Sequence, residues 1–192
     1  LRPEYNERVC LTSASDGVPD GVEYRLHVHR ASRKVGSVLQ NGGIAMRLVT
    51  IDKSLLEKYR EDPQVLYKDK RPYVLVIRLQ YCGQKQDFAV PIRSNIPAEA
   101  PKNQYFALPP RSATKPRNRH GIHYIKMFPV SKKYLRRYRT EGNEFAILIQ
   151  NIIDRNAKRI ITACQDYLTA YEAGERPKFS TDINLLLTKL RE

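Results

Sequence analysis

No aspartate or glutamate stands between Glu99 and Glu141. A solvated protein face ordinarily mixes both signs of charge, and a one-signed stretch repels itself unless it meets a polyanion. An ordinary hydrated surface is therefore a poor account of this segment. Cysteine is also scarce. Cys10, Cys82 and Cys164 are far apart and odd in number, which excludes a disulfide framework and a metal-ligand spacing and leaves reduced, structural thiols. No apolar run approaches the roughly 20 residues of a membrane helix. The first residues lack the basic n-region and apolar core of a signal peptide, so the expectation is a cytoplasmic protein without a membrane partner. No internal repeat is found.

The acid-free segment is instead rich in cations. Positions 101–140 carry eleven Lys or Arg: Lys102, Arg111, Lys115, Arg117, Arg119, Lys126, Lys132, Lys133, Arg136, Arg137 and Arg139. His120, His123 and the rings of Tyr105, Phe106, Tyr124, Phe128, Tyr134 and Tyr138 are interleaved with them. Aromatic faces between cations can stack unpaired bases. With a net charge of +14 over 192 residues, the expected partner is nucleic acid, single-stranded RNA first.

The basicity is unevenly spread. Residues 1–45 hold six basic and five acidic side chains, which leaves +13 of the +14 to residues 46–192. The early segment shows scattered glycines and no sustained period. It reads as a poorly ordered extension, or as sequence upstream of a start at Met46. Residues 46–192 have the length of one domain with a sizeable core.

Within that domain the pattern predicts a strand over Arg47–Ile51 and a helix capped by Asp52 or Ser54 with Leu55, Leu56 and Tyr59 inward. A hairpin follows, Tyr73–Leu79 and Asp87–Ile92, turning at Cys82–Lys85. Five prolines then break the chain into loop around a short strand near Tyr105. Ile122–Val130 has strand character, and Ser131 caps a short basic helix through Arg137. A long helix runs from about Asn143 to Tyr171 and stops at Gly174 and Pro177, and a last one spans Asp182–Leu190. Strands first and helices last mean α+β with a mainly antiparallel sheet.

Two segments could hold chemistry. Arg93-Ser94-Asn95 lies between Pro91 and Pro97. Arginine clamps phosphate, and the Ser and Asn side chains can bond phosphate oxygens or a ribose hydroxyl. A turn that uses Ser and Asn to satisfy its own backbone is the competing reading. Arg93 and Ser94 face opposite ways if the strand continues, and together if it bends. The second segment is His120-Gly121-Ile122-His123-Tyr124-Ile125-Lys126. As a strand it would set His120 and Lys126 on one face and His123 on the other. A histidine can move a proton and a lysine can neutralise phosphate charge. No Cys or carboxylate lies nearby to complete a metal site, and no cofactor is implied.

These motifs resemble the endoribonuclease toxins of type III toxin–antitoxin systems, the ToxN/AbiQ group with its CptN and TenpN relatives. The resemblance runs through Met46-Arg47-Leu48-Val49-Thr50-Ile51, the hairpin ending in Pro91-Ile92-Arg93-Ser94, the segment Gly121–Lys126, and Glu144-Phe145 opening a helix that ends in Tyr167 and Tyr171. It covers about three quarters of the chain. It implies a compact, strongly twisted antiparallel sheet like that of small ribonuclease toxins, with helices around it. It also implies metal-independent cleavage of bacterial or phage mRNA, in which the ribose 2′-OH attacks its own phosphate and leaves a 2′,3′-cyclic end.

By the same resemblance Ser94 matches the family's active-site Ser, and Arg93 stands where ToxN has Thr. Lys70 or Arg71 falls near a family active-site Lys, and Lys126 is the next cation at the phosphate. ToxN carries a Lys two residues beyond its Ser. Here that position is Ile96, leaving Arg93 or Lys102 to supply the charge. His123 is our own assignment as proton acceptor. Asn95, Lys102, Arg111, Lys115, Arg117, Arg119, His120, Lys132, Lys133, Arg136 and Arg137 are the expected RNA contacts. The implied partner is a small repeat antitoxin RNA in a closed protein–RNA ring. A non-catalytic RNA-binding module accounts for the charge equally well. A DNA-binding regulator is the third alternative, disfavoured by the Pro-rich approach to 131–139.

Overall fold

The computed structural model describes residues 46–67 and 71–192. The segment 1–45, expected as an extension or as sequence ahead of a start at Met46, lies outside them, as does Lys70. In chain order the strands are β1 (Leu48–Ile51), β2 (Tyr73–Tyr81), β3 (Gln84–Ile96), β4 (Tyr105–Leu108), β5 (Arg119–His123), β6 (Phe128–Pro129) and β7 (Leu135–Arg137). The helices are α1 (Lys53–Lys58), α2 (Glu144–Arg155), α3 (Ala157–Glu172) and α4 (Ile183–Arg191). Among the described residues this is an α+β fold around an antiparallel sheet, as the sequence pattern predicts.

β3 is the spine. One edge pairs with β2 from Tyr73↔Pro91 to Tyr81↔Gln84. The other pairs with β6 at Phe88 and Ala89, and then with β5 at Ile92, Arg93 and Ile96. The sheet order is β4-β5-β3-β2-β1-β7. The β2–β3 turn is tighter than expected. Cys82 and Gly83 both have positive φ (47° and 71°), the backbone of a two-residue type I′ turn, so β3 already starts at Gln84.

Alternation along the strands sorts two apolar layers. Leu48, Val74, Val90, Ile92 and Ile122 pack with Ile149, Ile153, Ile160, Cys164 and Leu168 of α2 and α3. Val49, Tyr73 and Ala89 pack with Phe128, Leu55, Leu56 and Tyr59, and with Leu186 of α4. Side chains cap the helices: Asp52 accepts from the Ser54 amide at 3.0 Å, Asn143 from the Ala146 amide at 2.9 Å and Asp182 from the Leu185 amide at 3.1 Å. Gln150 of α2 ties the start of β1 down. It donates to the Met46 carbonyl at 2.6 Å and accepts from the Leu48 amide at 3.1 Å.

Three expected elements differ. The strand over Ile122–Val130 is broken by a 3-10 turn, Tyr124–Lys126, closed by the Met127 amide on the Tyr124 carbonyl at 2.9 Å. Residues 120–130 are all buried, so no apolar/polar alternation marks the break. The basic helix after Ser131 is instead a 3-10 turn, Lys132–Tyr134, followed by β7. The open edge of β1 captures this segment: the Asp52 amide donates to the Tyr134 carbonyl at 2.8 Å, and the Tyr138 amide to the Leu48 carbonyl at 3.2 Å. The long helix is two, α2 and α3. They part at Asn156, whose side-chain amide donates to the Ile152 carbonyl at 2.8 Å and competes with the helix ladder.

The strands of the acid-free stretch are consequently spread along the sheet. β4 and β5, with their connecting loop, lie at one end of the sheet and β7 at the other.

Candidate active site

The register that pairs Tyr73 with Pro91 carries on to set Arg71 opposite Arg93, and the Ile92 amide still bonds the Pro72 carbonyl at 3.2 Å. Both arginines are half-buried. Burial lowers the pKa of Arg93, and the neighbouring Arg71 lowers it further. Burial lowers that of Arg71 too, against the Tyr73 phenol. Guanidinium ionises so weakly that both stay cationic at neutral pH. Among the described residues no carboxylate pairs with either, and the Arg71 Nε is sealed from solvent without a hydrogen-bond partner. Two adjacent, half-buried cations with no ion-pair partner among the described residues make this part of the cleft strongly positive.

They open on a cavity of about 790 Å³ also lined by Ser94, Asn95, Arg111 and His120. The N-terminus of α2 contributes Asn143, Phe145 and Ala146, which adds the positive end of the helix dipole. Among the described residues no carboxylate lines this cavity. The strand continues through Arg93-Ser94-Asn95, but with a bulge: Arg93↔Gly121 and Ile96↔Arg119 leave Ser94 and Asn95 together opposite the single residue His120. Arg93 and Ser94 thereby line the same cavity, and among the described residues no hydrogen bond ties up the Ser94 hydroxyl.

Asn95 has a different task. Its Oδ1 accepts from the Lys115 amide at 2.9 Å and the Asn118 side chain at 3.3 Å, and its Nδ2 donates to the Ala113 carbonyl at 3.2 Å. Its amide is spent on holding the β4–β5 loop, which carries Arg111 to the cavity and leaves Lys115 and Arg117 exposed.

The two histidines part company. Arg93 donates to Nδ1 of His123 at 3.1 Å, so the proton of that neutral ring is on Nε2, which is buried and unpartnered. Burial first, then Arg93 and Lys126, push the His123 pKa down to about 3. His120 has Nδ1 2.5 Å from the Pro109 carbonyl oxygen and its ring 5.8 Å from that of Phe145. The expectation that His120 and Lys126 share a strand face fails, because the turn at Tyr124 intervenes. Lys126 is buried and donates to the Gln64 side chain and the Phe179 carbonyl, both at 2.5 Å. Burial and Arg93 lower its pKa to about 8, against the pull of Asp62. Two of its three donors are therefore engaged in the fold.

The remaining cations are dispersed. Lys102 lies on a second cavity, of about 940 Å³, with Tyr105, Phe106, Arg159 and Arg176, so the charge beside Ser94 comes from Arg93. Arg119 is exposed on β5, and Lys132 and Lys133 on the turn before β7. Arg136 is paired with Asp52 at 3.0 Å and Arg137 with Glu141 at 2.9 Å, at the far end of the sheet. The sequence reading missed Asn143 and the α2 N-terminus as cavity walls; the capping signature Asn143-Glu144-Phe145 was the available signal. It also missed Arg159, whose guanidinium lies 5.6 Å from the centre of the Phe106 ring.

The α+β fold built on this sheet is shared with toxins of type III toxin–antitoxin systems. No family model and no curated protein matches the chain by sequence. Among solved structures, the chain is similar to AbiQ, a lactococcal anti-phage endoribonuclease belonging to the type III toxin–antitoxin system. The TM-score is 0.58 at 16% identity, over 77% of this chain and 96% of that one. A structure from a bacterial type III system, in which a non-coding RNA pseudoknot selectively inhibits the toxin, gives 0.59 at 19% identity, over 77% and 97%. One from a bacterial antiviral system regulated by a processed non-coding RNA gives 0.57 at 18%, over 76% and 98%. At these identities the likeness is one of fold. Among the described residues no helix is long and apolar enough to cross a membrane.

Proposed function

We propose that the chain is an endoribonuclease toxin of a type III toxin–antitoxin system, cutting single-stranded mRNA and held inactive by a structured repeat RNA. One observation carries this reading: among the described residues, Arg71 and Arg93 have no acidic partner and line, beside the free Ser94 hydroxyl, a cleft without a carboxylate. Such a cleft suits a dianionic phosphorane-like transition state. Cations and a hydroxyl around the phosphate suit attack by the ribose 2′-OH, which needs no protein nucleophile and leaves a 2′,3′-cyclic phosphate, and we take the path to be metal-independent.

In this reading Arg93 and Arg71 neutralise the scissile phosphate, and Ser94 donates to one of its oxygens. Arg111 reaches the flanking phosphate from the loop held by Asn95. Lys126 and His123 act from beneath: His123 orients Arg93, and the buried Lys126 ammonium adds to the positive field. The exposed Lys115, Arg117 and Arg119 continue the cationic path for an antitoxin RNA, with assembly as a protein–RNA ring. Neutralising 6 to 10 phosphates gives roughly three to five decades of affinity loss between low and moderate salt.

The test is cleavage of a labelled mixed-sequence RNA in EDTA by the wild type, with Ser94→Ala and an all-deoxy substrate alongside. Cyclic-phosphate ends from the wild type on RNA alone, lowered about 10²–10³-fold in Ser94→Ala, are expected. Salt-sensitive RNA binding without scission would leave a binding module instead.

A further inference from the structure

His120 is 4% exposed, yet one of its ring nitrogens is free. Its Nδ1 sits 2.5 Å from the Pro109 carbonyl oxygen, a group that only accepts, so Nδ1 carries the proton and Nε2 the lone pair. Among the described residues Nε2 has no hydrogen-bond partner, and unlike the sealed Nε2 of His123 it is not cut off from solvent. The ring is held against Phe145 with planes 34° apart, and it lines the cavity that holds Arg93 and Ser94. The bulge opposes Ser94 to His120 across the β3–β5 ladder. A ring held in one tautomer, with its free Nε2 on a residue that lines the cleft of Arg93 and Ser94, has what proton abstraction at that cleft requires.

We propose that His120 is the general base of the cleavage, a role that rests on the ribonuclease reading of the cleft. Nε2 takes the proton of the ribose 2′-OH as the O2′–P bond forms and the P–O5′ bond breaks. The bonding pair leaves with O5′, which takes a proton from solvent, and the imidazolium returns its proton to water. Phe145 packs on the ring and Arg111 acts on it electrostatically, and the titratable or charged groups that share its cavity are Arg71, Arg93, Arg111 and Tyr138. Burial and Arg111 lower the pKa of His120, and the Pro109 carbonyl partly opposes them, so the base form dominates at neutral pH.

The experiment is single-turnover cleavage in EDTA across pH 4.5–8, on ordinary RNA and on RNA with a sulfur at the scissile 5′ bridging position, whose thiolate leaves without an acid. The wild-type rate is expected to rise with unit slope and level off below the ordinary histidine pKa. His120→Asn keeps a donor for the Pro109 carbonyl and should lose the acidic limb and about 10²–10⁴-fold in rate, equally on both substrates, with RNA affinity retained. His120→Gln serves as the second variant, with melting temperatures measured for both. A flat wild-type profile, a variant that keeps the acidic limb, or recovery on the sulfur substrate (the mark of an acid) overturns the proposal. No cleavage by the wild type would overturn the ribonuclease reading itself.

Discussion

The Arg93 guanidinium donates to Nδ1 of His123 at 3.1 Å, which makes a buried neutral ring the support of the cation beside Ser94. If His123 works only through Arg93, their effects on cleavage must overlap. Arg93→Ala is expected to lower the single-turnover rate about 10²–10³-fold. His123→Ala should lower it less, and the double variant should be no slower than Arg93→Ala alone. Additive losses in that cycle would give His123 an independent role.

The same burial ties stability to pH. His123 is held at about 3 when folded, below its ordinary 6.5, so the unfolded chain takes up a proton first as pH falls. The stability this contributes is complete above pH 6.5 and is lost progressively toward pH 3, with a slope of at most about 1.4 kcal/mol per pH unit. His120 is shifted in the same direction. Urea denaturation between pH 7.5 and 4.5 should show this fall, and His123→Asn should flatten it.

Much of this was legible in the residues. Asp52, Asn143 and Asp182 mark helix starts by chemistry that acts within three residues, and Cys82-Gly83 marks its own turn. The bulge at Ser94-Asn95 was not legible, because it exists only against His120 on a strand more than twenty residues away. For the same reason the sequence does not distinguish His120 from His123, since what separates them is the Pro109 carbonyl on one and Arg93 on the other. The basic run after Ser131 has helical spacing, but an unpaired edge of β1 outweighs local propensity.

Gly121 is held to glycine by packing. A Cβ there would lie 2.3 Å from the Phe106 carbonyl oxygen, a backbone atom of the paired strand β4. Gly121→Ala must push β4 and β5 apart between His120 and His123. A loss of about 1–3 kcal/mol is expected, read as a lower midpoint in chemical denaturation, together with a fall in cleavage measured well below that midpoint. Wild-type stability in this variant would mean that β4 moves freely.

Asn95 makes three hydrogen bonds to the loop that carries Arg111. Asn95→Ala should release that loop while leaving the sheet intact. Trypsin then nicks faster after Arg111 and Arg117, and RNA affinity falls with a shallower salt dependence. Asn95→Asp keeps the acceptor for Lys115 and loses the donor to Ala113, so its nicking rate should fall between the two. Unchanged proteolysis in Asn95→Ala would return this side chain to the role of RNA contact.

The pair Arg71 and Arg93, with no acidic partner among the described residues, leads to a prediction that needs no catalysis. Each guanidinium raises the free energy of its neighbour in a half-buried site, and an anion seated between them relieves that repulsion in the folded state alone. A ligand that binds only the folded form stabilises it by about 2.7 kcal/mol at a hundred times its dissociation constant. Inorganic phosphate at fixed ionic strength should therefore raise the melting temperature of the wild type. The rise should vanish in Arg93→Met and persist in Arg136→Met, because Arg136 already holds Asp52 at the other end of the sheet. An equal rise in both variants would place the anion elsewhere and remove the central support for a phosphate site beside Ser94.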